Sequence, residues 1–344
     1  MSHSIDFWYG KKVFITGVNG FIGGNLAKEL LEHHAQVFGL IRNLKKDTFL
    51  YFEELADKIT LIEGDLCDKE LLTRIISEEQ IDCVFHLAAQ VEVGVGLANP
   101  YLTFETNTRG TYTLLEAIRQ CPQTIKSVVV ASTDKSYGSY PAEKMPYKED
   151  YPLLPRYPYD TSKACADMIA QAYASDVYRL PIVVTRFCNI YGPGQLNFSA
   201  VMPDAITSAQ GYTKFIPRGD GSQVRDFIYV EDVVALYLKI GEGLAHNPKI
   251  SGEIFNAGTN SPISVRGVIE TIYKIAENQK GLEEVLGLMK GRKTTGEIDQ
   301  QYMDFEKVNR FFGWTPQHTL NEGIIKTMAW FKHYNEVRFG TRNA

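Results

Sequence analysis

Three glycines, Gly17, Gly20 and Gly23, constrain this chain more than any other feature of its sequence. They follow the apolar run Lys12-Val-Phe-Ile-Thr16 and open a helix-length segment, residues 21–33, with Leu26, Leu30 and Leu31 on its inner side. Glycine lets the backbone turn tightly after a strand and approach a ligand closely. The helix that follows presents free N–H groups and the positive end of its dipole. Such a strand–turn–helix suits the pyrophosphate of a dinucleotide, with Gly17, Asn19, Gly20, Phe21 and Ile22 as the candidate contacts.

The alternation continues. Apolar runs at 35–41, 59–63, 83–87, 127–131 and 182–186 read as strands, and 68–78, 112–120 and 162–174 read as helices. Near-continuous apolar strands alternating with helices are the mark of a parallel sheet covered on both faces. The fold class is therefore α/β, doubly wound. Beyond Gly192 the pattern loosens, with Gly and Pro punctuation, a capping helix over 201–210, a helix over 229–242 and a strand over 253–256. These last two elements are expected to return to the first sheet.

Composition narrows the classes. A hydrophobic fraction of 44% supplies a full core, and a net charge of −5 argues against nucleic acid as a partner. No apolar run reaches the roughly 18 residues of a membrane span, and the first 15 residues lack a signal-peptide layout. Five scattered cysteines without a C-x-x-C pair favour a reducing cytoplasm over a disulfide framework. No histidine has metal-ligand spacing, so no metal site is expected.

The second strand ends in Arg42-Asn43, with Lys45 and Lys46 nearby and no carboxylate before Asp47. An acidic residue there would bond the adenosine ribose, whereas Arg42 suits a 2′-phosphate, so NADP is expected over NAD. Asp65, after the third strand, is placed to bond the adenine amino group. Tyr159 and Lys163 stand four apart on one helix face. A phenol is a poor base at its reference pKa of about 10. A neighbouring ammonium and a nicotinamide cation are expected to lower it, while Lys163 also holds the nicotinamide ribose. Thr133, Asp134 and Lys135 follow the strand at 127–131, at the carboxyl end where open sheets bind ligands. Thr133 can share a proton with Tyr159, and Asp134 with Lys135 supplies an acid–base pair.

Taken in order, Gly17-x-x-Gly20-x-x-Gly23, Asp65-Leu66, His86-Leu-Ala-Ala89, Asn107, Ser132-Thr-Asp134, Tyr159-x-x-x-Lys163, Arg186-x-x-Asn189-x-Tyr-Gly-Pro193 and Arg225-Asp-Phe-x-x-Val-Glu-Asp232 span most of the chain. In this order they resemble the extended short-chain dehydrogenase/reductases that act on nucleotide sugars. The Thr133-Asp134-Lys135 triplet and the opening Phe7-Trp-Tyr-Gly-Lys-Lys-Val13 are most similar to CDP-glucose 4,6-dehydratases; dTDP-glucose dehydratases carry T-D-E, with Glu where this chain has Lys135.

The resemblance implies a Rossmann-type dinucleotide domain over 1–190 and a smaller α/β domain, mainly for the nucleotide sugar, over 191–344. Leu66, Leu87, Ala88, Ala89 and Asn107 are thereby assigned to the dinucleotide, and Gln90, Asn189 and Arg225 to the substrate. The implied reaction is oxidation at C4, loss of water across C5 and C6, and return of hydride to C6. The helices near Tyr112 and Ser162 match a pair that forms a four-helix dimer interface, implying a homodimer. The competing functions are a 4-epimerase, which needs no acid–base pair after Thr133, and a non-catalytic NADP-binding regulator.

Overall fold

The computed structural model describes residues 6–43, 45–121, 124–292 and 298–339. The apolar runs of the first half form β1 (Lys12–Thr16), β2 (Gln36–Ile41), β3 (Thr60–Glu63), β4 (Cys83–His86), β5 (Ser127–Ala131) and β6 (Ile182–Phe187). Short strands follow at β7 (Asn189–Tyr191), β8 (Val224–Arg225) and β9 (Phe227–Tyr229), then β10 (Ile254–Ala257), β11 (Ile263–Ser264) and β12 (Gln300–Gln301). Seven of these make one sheet in the order β10-β6-β5-β4-β1-β2-β3, with every pairing parallel. The expected doubly wound α/β sheet is thus present, and β10 lies beside β6 in it.

The period of two along each strand divides the core between the two faces. In β1, Val13 and Ile15 pack with Leu26 and Leu30 of the Phe21–Glu32 helix and with Leu236 and Ile240 of the Val230–His246 helix. Phe14 points the other way, toward Leu72, Ile75 and Ile76 of the Lys69–Glu78 helix and Leu114 and Ile118 of the Gly110–Gln120 helix. Full burial of such side chains contributes roughly 1.5–3 kcal/mol each, so the alternation fixes strand register.

The helix expected from residue 162 instead runs Pro158–Ala174, because Pro158 occupies the first turn, where its missing N–H costs nothing. The extra turn brings Tyr159 and Asp160 into the helix. On the same helix Asp167 forms a buried ion pair with Arg186 of β6, Nε to Oδ2 at 2.7 Å, the two side chains 0% and 3% exposed. The Arg186 guanidinium also lies over the Tyr137 ring at 4.8 Å.

The second half is more regular than its sequence suggests. β7 pairs with β9, while β11, β8 and β12 form a three-stranded sheet. The Val201–Ala209 helix packs against Val265–Ile275, which in turn meets Gln279–Met289. The Leu320–Phe339 helix closes the lobe with Ile324, Thr327, Phe331 and Asn335 on its buried stripe.

Candidate active site

The glycine turn is shaped for a close approach. Gly17 has φ +78°, and a Cβ there would stand 2.8 Å from the Ala88 amide nitrogen. A Cβ on Gly23 would fall 2.2 Å from the Gly17 carbonyl oxygen. The Phe21–Glu32 helix begins with Gly20 as its cap, which offers no side chain to the first N–H groups, and its first turn carries no acid. The residues present therefore fit a dinucleotide diphosphate. Arg42 and Asn43 are both exposed just past the end of β2. Asp65 is exposed after β3, its Oδ1 accepting from the Cys67 amide at 2.7 Å, and Leu66 is buried against Gly110.

Beyond β4 the segment Leu87, Ala88, Ala89 and Gln90 runs half-buried past the turn. The Leu87 amide donates to the Thr16 carbonyl, and the Ala88 amide to the Thr16 hydroxyl. Asn107, 2% exposed, clamps the end of the segment. Its Oδ1 accepts from the Gln90 amide at 2.7 Å, and its Nδ2 donates to the Gln90 carbonyl at 3.0 Å and to Ser162 Oγ at 2.9 Å. Asn107 lies in a π-helical stretch, Glu105–Arg109, of the kind that recurs at functional sites. His86 bridges Thr16 and Thr111 through its two ring nitrogens. Burial, and then the charge of Lys163, pushes its pKa down to about 3, so the ring is a neutral structural link.

The catalytic candidates converge where β5 meets the Pro158–Ala174 helix. Thr133 caps the turn Asp134–Tyr137 and donates to Asp134 Oδ1 at 3.1 Å. Asp134 is 3% exposed and its Oδ2 is buried without a hydrogen-bond partner. Burial raises its carboxyl above the usual range, against the pull of Lys135, Thr133 and Arg225. The Tyr159 hydroxyl bonds Thr133.

The protein's own groups alone do not give the expected depression. Burial, together with the charge of Asp134, raises the Tyr159 phenol instead, and only the Thr133 bond acts in the other direction among the leading influences. Lys163 is not among the groups that act on it: its Nζ donates to the Ala131 carbonyl, and its own burial takes its pKa down to about 8.

Below this cluster opens a cavity of about 360 Å³, whose wall includes Lys135, Asp160, Asn189 and Arg225. Lys135 Nζ donates to Gln301 Oε1 at 3.4 Å. Arg225, 6% exposed, donates from Nη1 to the Val224 and Asp299 carbonyls. Asn189 donates to the Asp226 carbonyl at 3.3 Å. Asp226 itself is buried and accepts from the Thr259 and Asn260 amides.

Sequence reasoning missed three wall residues, Asp160, Asp204 and Arg218. Asp160 sits inside the Tyr159-x-x-x-Lys163 spacing, one residue past the tyrosine and hence about 100° around the helix. That was the available signal. Asp204 lies on the Val201–Ala209 helix, where burial lifts its carboxyl to about 6 against the Arg218 charge. Neither of these two stood in a motif.

An α/β sheet with a glycine turn at one strand end and a Thr-Asp, Tyr and Lys cluster at its carboxyl edge defines a dinucleotide-dependent enzyme of the short-chain dehydrogenase/reductase class. A family model described as GDP-mannose 4,6 dehydratase matches residues 14–327, and the chain belongs to that family. It is 32% identical to dTDP-glucose 4,6-dehydratase 1 of Escherichia coli K12, over 93% of this chain and 92% of the relative. Among solved structures, dTDP-glucose 4,6-dehydratase from Bacillus anthracis in complex with NAD superposes with a TM-score of 0.79 at 29% identity, covering 95% of this chain and 98% of the other. UDP-glucose 4-epimerase from Thermotoga maritima with UDP-glucose also superposes with a TM-score of 0.79, at 26% identity, covering 94% and 99%.

Proposed function

We propose that the protein converts a nucleoside-diphosphate hexose to its 4-keto-6-deoxy form by oxidation at C4, elimination of water across C5 and C6, and hydride return to C6. Asp134 carries this reading. It is a buried carboxyl with a raised pKa and an unpartnered oxygen, one residue past the threonine that meets Tyr159. A carboxyl kept protonated by burial can deliver a proton to a C6 hydroxyl, which leaves poorly without one. A 4-epimerase moves only a proton and a hydride at C4 and has no use for that acid.

Tyr159 takes the C4 hydroxyl proton through a hydrogen bond shared with Thr133, its phenol being lowered against its burial by the positive charge that a nicotinamide would supply when bound. Lys163 reaches the ribose beside it. Asn189 and Arg225 take the diphosphate from the cavity wall, Arg225 with the forked donor geometry that suits phosphate oxygens. Gln90, fixed through its main chain by Asn107, faces the substrate. When bound, a nicotinamide dinucleotide accepts hydride from C4 and returns it at C6. The glycine turn, Asp65 and the Leu87–Ala89 segment hold it, within a dinucleotide domain over 1–190 joined by β10, while 191–344 serves mainly the nucleotide sugar. For the adenosine end, exposed Arg42 and the lack of a carboxylate before Asp47 favour NADP, although the Bacillus anthracis relative holds NAD.

Tyr101, Phe104, Tyr112 and Met168 are exposed apolar side chains on neighbouring helices. A patch of this kind supports a homodimer through a four-helix bundle. Among the described residues no helix is long and apolar enough to cross a membrane. The five free cysteines support a cytoplasmic setting.

Incubating the protein with CDP-glucose, dTDP-glucose, UDP-glucose and GDP-mannose tests the reading. Loss of one water in mass from one of them is expected, with deuterium at C5 when the reaction runs in deuterated water. A product of unchanged mass inverted at C4 would instead mark an epimerase, and no turnover of any would leave a binding protein.

A further inference from the structure

We infer that Asp160 is the base that takes the C5 proton, and that Lys135 holds the charge of this carboxylate rather than acting as the base itself. The inference rests on the dehydratase reading. The sequence offers Lys135 as the base only because it follows Asp134. In space Lys135 lies on the cavity wall beside Asp160, and its charge acts on both Asp160 and Asp134. Its Nζ is engaged as a donor to Gln301 Oε1 at 3.4 Å, which places it as a holder of charge beside Asp160.

Asp160 has the features a base needs. It lines the cavity yet is only 5% exposed, so bulk water does not compete for its oxygens. The groups that face it are Lys135, the carboxyl of Asp134, and the backbone N–H groups of Tyr157 and of Asp160 itself. Burial raises its carboxyl to about 6, opposed first by Lys135 and augmented by Asp134. A base with a pKa just below the working pH is mostly ionised and still strong enough to act.

The two carboxyls then divide the work. Asp134, with a buried oxygen lacking any partner, suits the protonated form, and Asp160, with N–H donors and an ammonium, suits the ionised form. Once C4 is a ketone, the C5–H bond breaks and its proton passes to Asp160. The electron pair forms the C5–C6 double bond as the C6–O bond breaks, and the hydroxide leaves as water with the proton of Asp134. Asp160 has gained one proton, Asp134 has lost one, and no electrons enter or leave in this step.

The test first identifies which of the four nucleotide sugars the wild-type protein dehydrates. If it dehydrates none, the functional reading fails, and that result is distinct from failure of this inference. With that substrate, Asp160→Asn should still reduce the bound nicotinamide, seen in its near-ultraviolet absorbance. It should lose C5 exchange with deuterated water and product formation by at least about a hundredfold. Asp134→Asn should keep C5 exchange and lose product.

C5 exchange by Asp160→Asn within about threefold of wild type would overturn the inference, as would Lys135→Met abolishing exchange while Asp160→Asn preserves it. Should Asp160→Asn fail to fold, the acid limb of kcat/KM decides. Removing the ammonium in Lys135→Met must move that limb to higher pH if Asp160 is the base, and an unmoved limb refutes it.

Discussion

Replacing Asp167 by Asn should cost the protein about 3–5 kcal/mol of stability, and the reason is burial rather than contact distance. Asp167 Oδ2 meets Arg186 Nε at 2.7 Å and Oδ1 meets Nη2 at 3.1 Å, with the side chains 0% and 3% exposed. Asparagine keeps the shape and removes the charge. The guanidinium, which cannot shed its proton, is then left buried without a counter-charge, facing one amide oxygen in place of two carboxylate oxygens beside the Tyr137 hydroxyl at 2.9 Å and the Glu149 carbonyl at 3.3 Å. The Glu116–Arg119 pair is an internal control. Its contact is as short, 2.6 Å, but its side chains are 27% and 42% exposed, so Glu116→Gln should cost under about 1 kcal/mol. Urea unfolding of wild type and both variants, followed by circular dichroism, measures the two losses. Equal losses, or an Asp167→Asn loss below about 1 kcal/mol, would refute the claim that desolvation sets the magnitude. Replacing both partners with apolar residues of similar size should recover much of the loss, because no charge is then stranded.

Three further outcomes follow from the site. Tyr159→Phe removes only the phenol oxygen, so turnover should fall to background while dinucleotide binding, measured by titration, stays within a few-fold; Lys163→Met should weaken both. Stripped protein should bind NADP roughly ten- to a hundredfold more tightly than NAD, the worth of a charge-assisted phosphate contact of about 1.5–3 kcal/mol, and Arg42→Ala should abolish the preference. His86 is held neutral in the fold with a pKa of about 3, against the ordinary histidine value of 6.5. The unfolded chain therefore binds a proton that the fold refuses, and this cost grows as pH falls from about 6.5 toward 3. Across that window the melting temperature of wild type should fall more steeply than that of His86→Gln.

The first half of the fold was legible because its strands are apolar throughout and its helices carry leucine stripes. Thr133, Asp134, Tyr159 and Lys163 were legible because their order along the chain is itself a pattern. The second lobe was not. The buried stripe of the Leu320–Phe339 helix includes Thr327 and Asn335 beside Ile324 and Phe331, so its apolar period is diluted. The paired strands β8, β11 and β12 are two residues each, too short for any alternation. Asp160 was hidden by its neighbours, since a residue between Tyr and Lys in a spaced motif reads as filler. The expected influence of Lys163 on the Tyr159 phenol was misjudged for a different reason. Spacing places Lys163 on the same helix face but does not say that its ammonium turns to the Ala131 carbonyl.

The place of β10 in the sheet has a consequence for how the chain is made. β6 is wholly buried along its length and opens with three apolar β-branched residues, and its outer neighbour is supplied by residues 254–257. On the ribosome β6 emerges first, and everything from Cys188 to Glu253 must follow before its partner arrives. Through that interval it is a bare edge of Ile182-Val-Val, a template for pairing with another nascent chain. The opposite edge, β3, ends in exposed Thr60 and Glu63 and carries no such hazard. A gene fragment stopped near residue 190 should therefore yield aggregated protein, even though it encodes every residue of the glycine turn and the catalytic cluster.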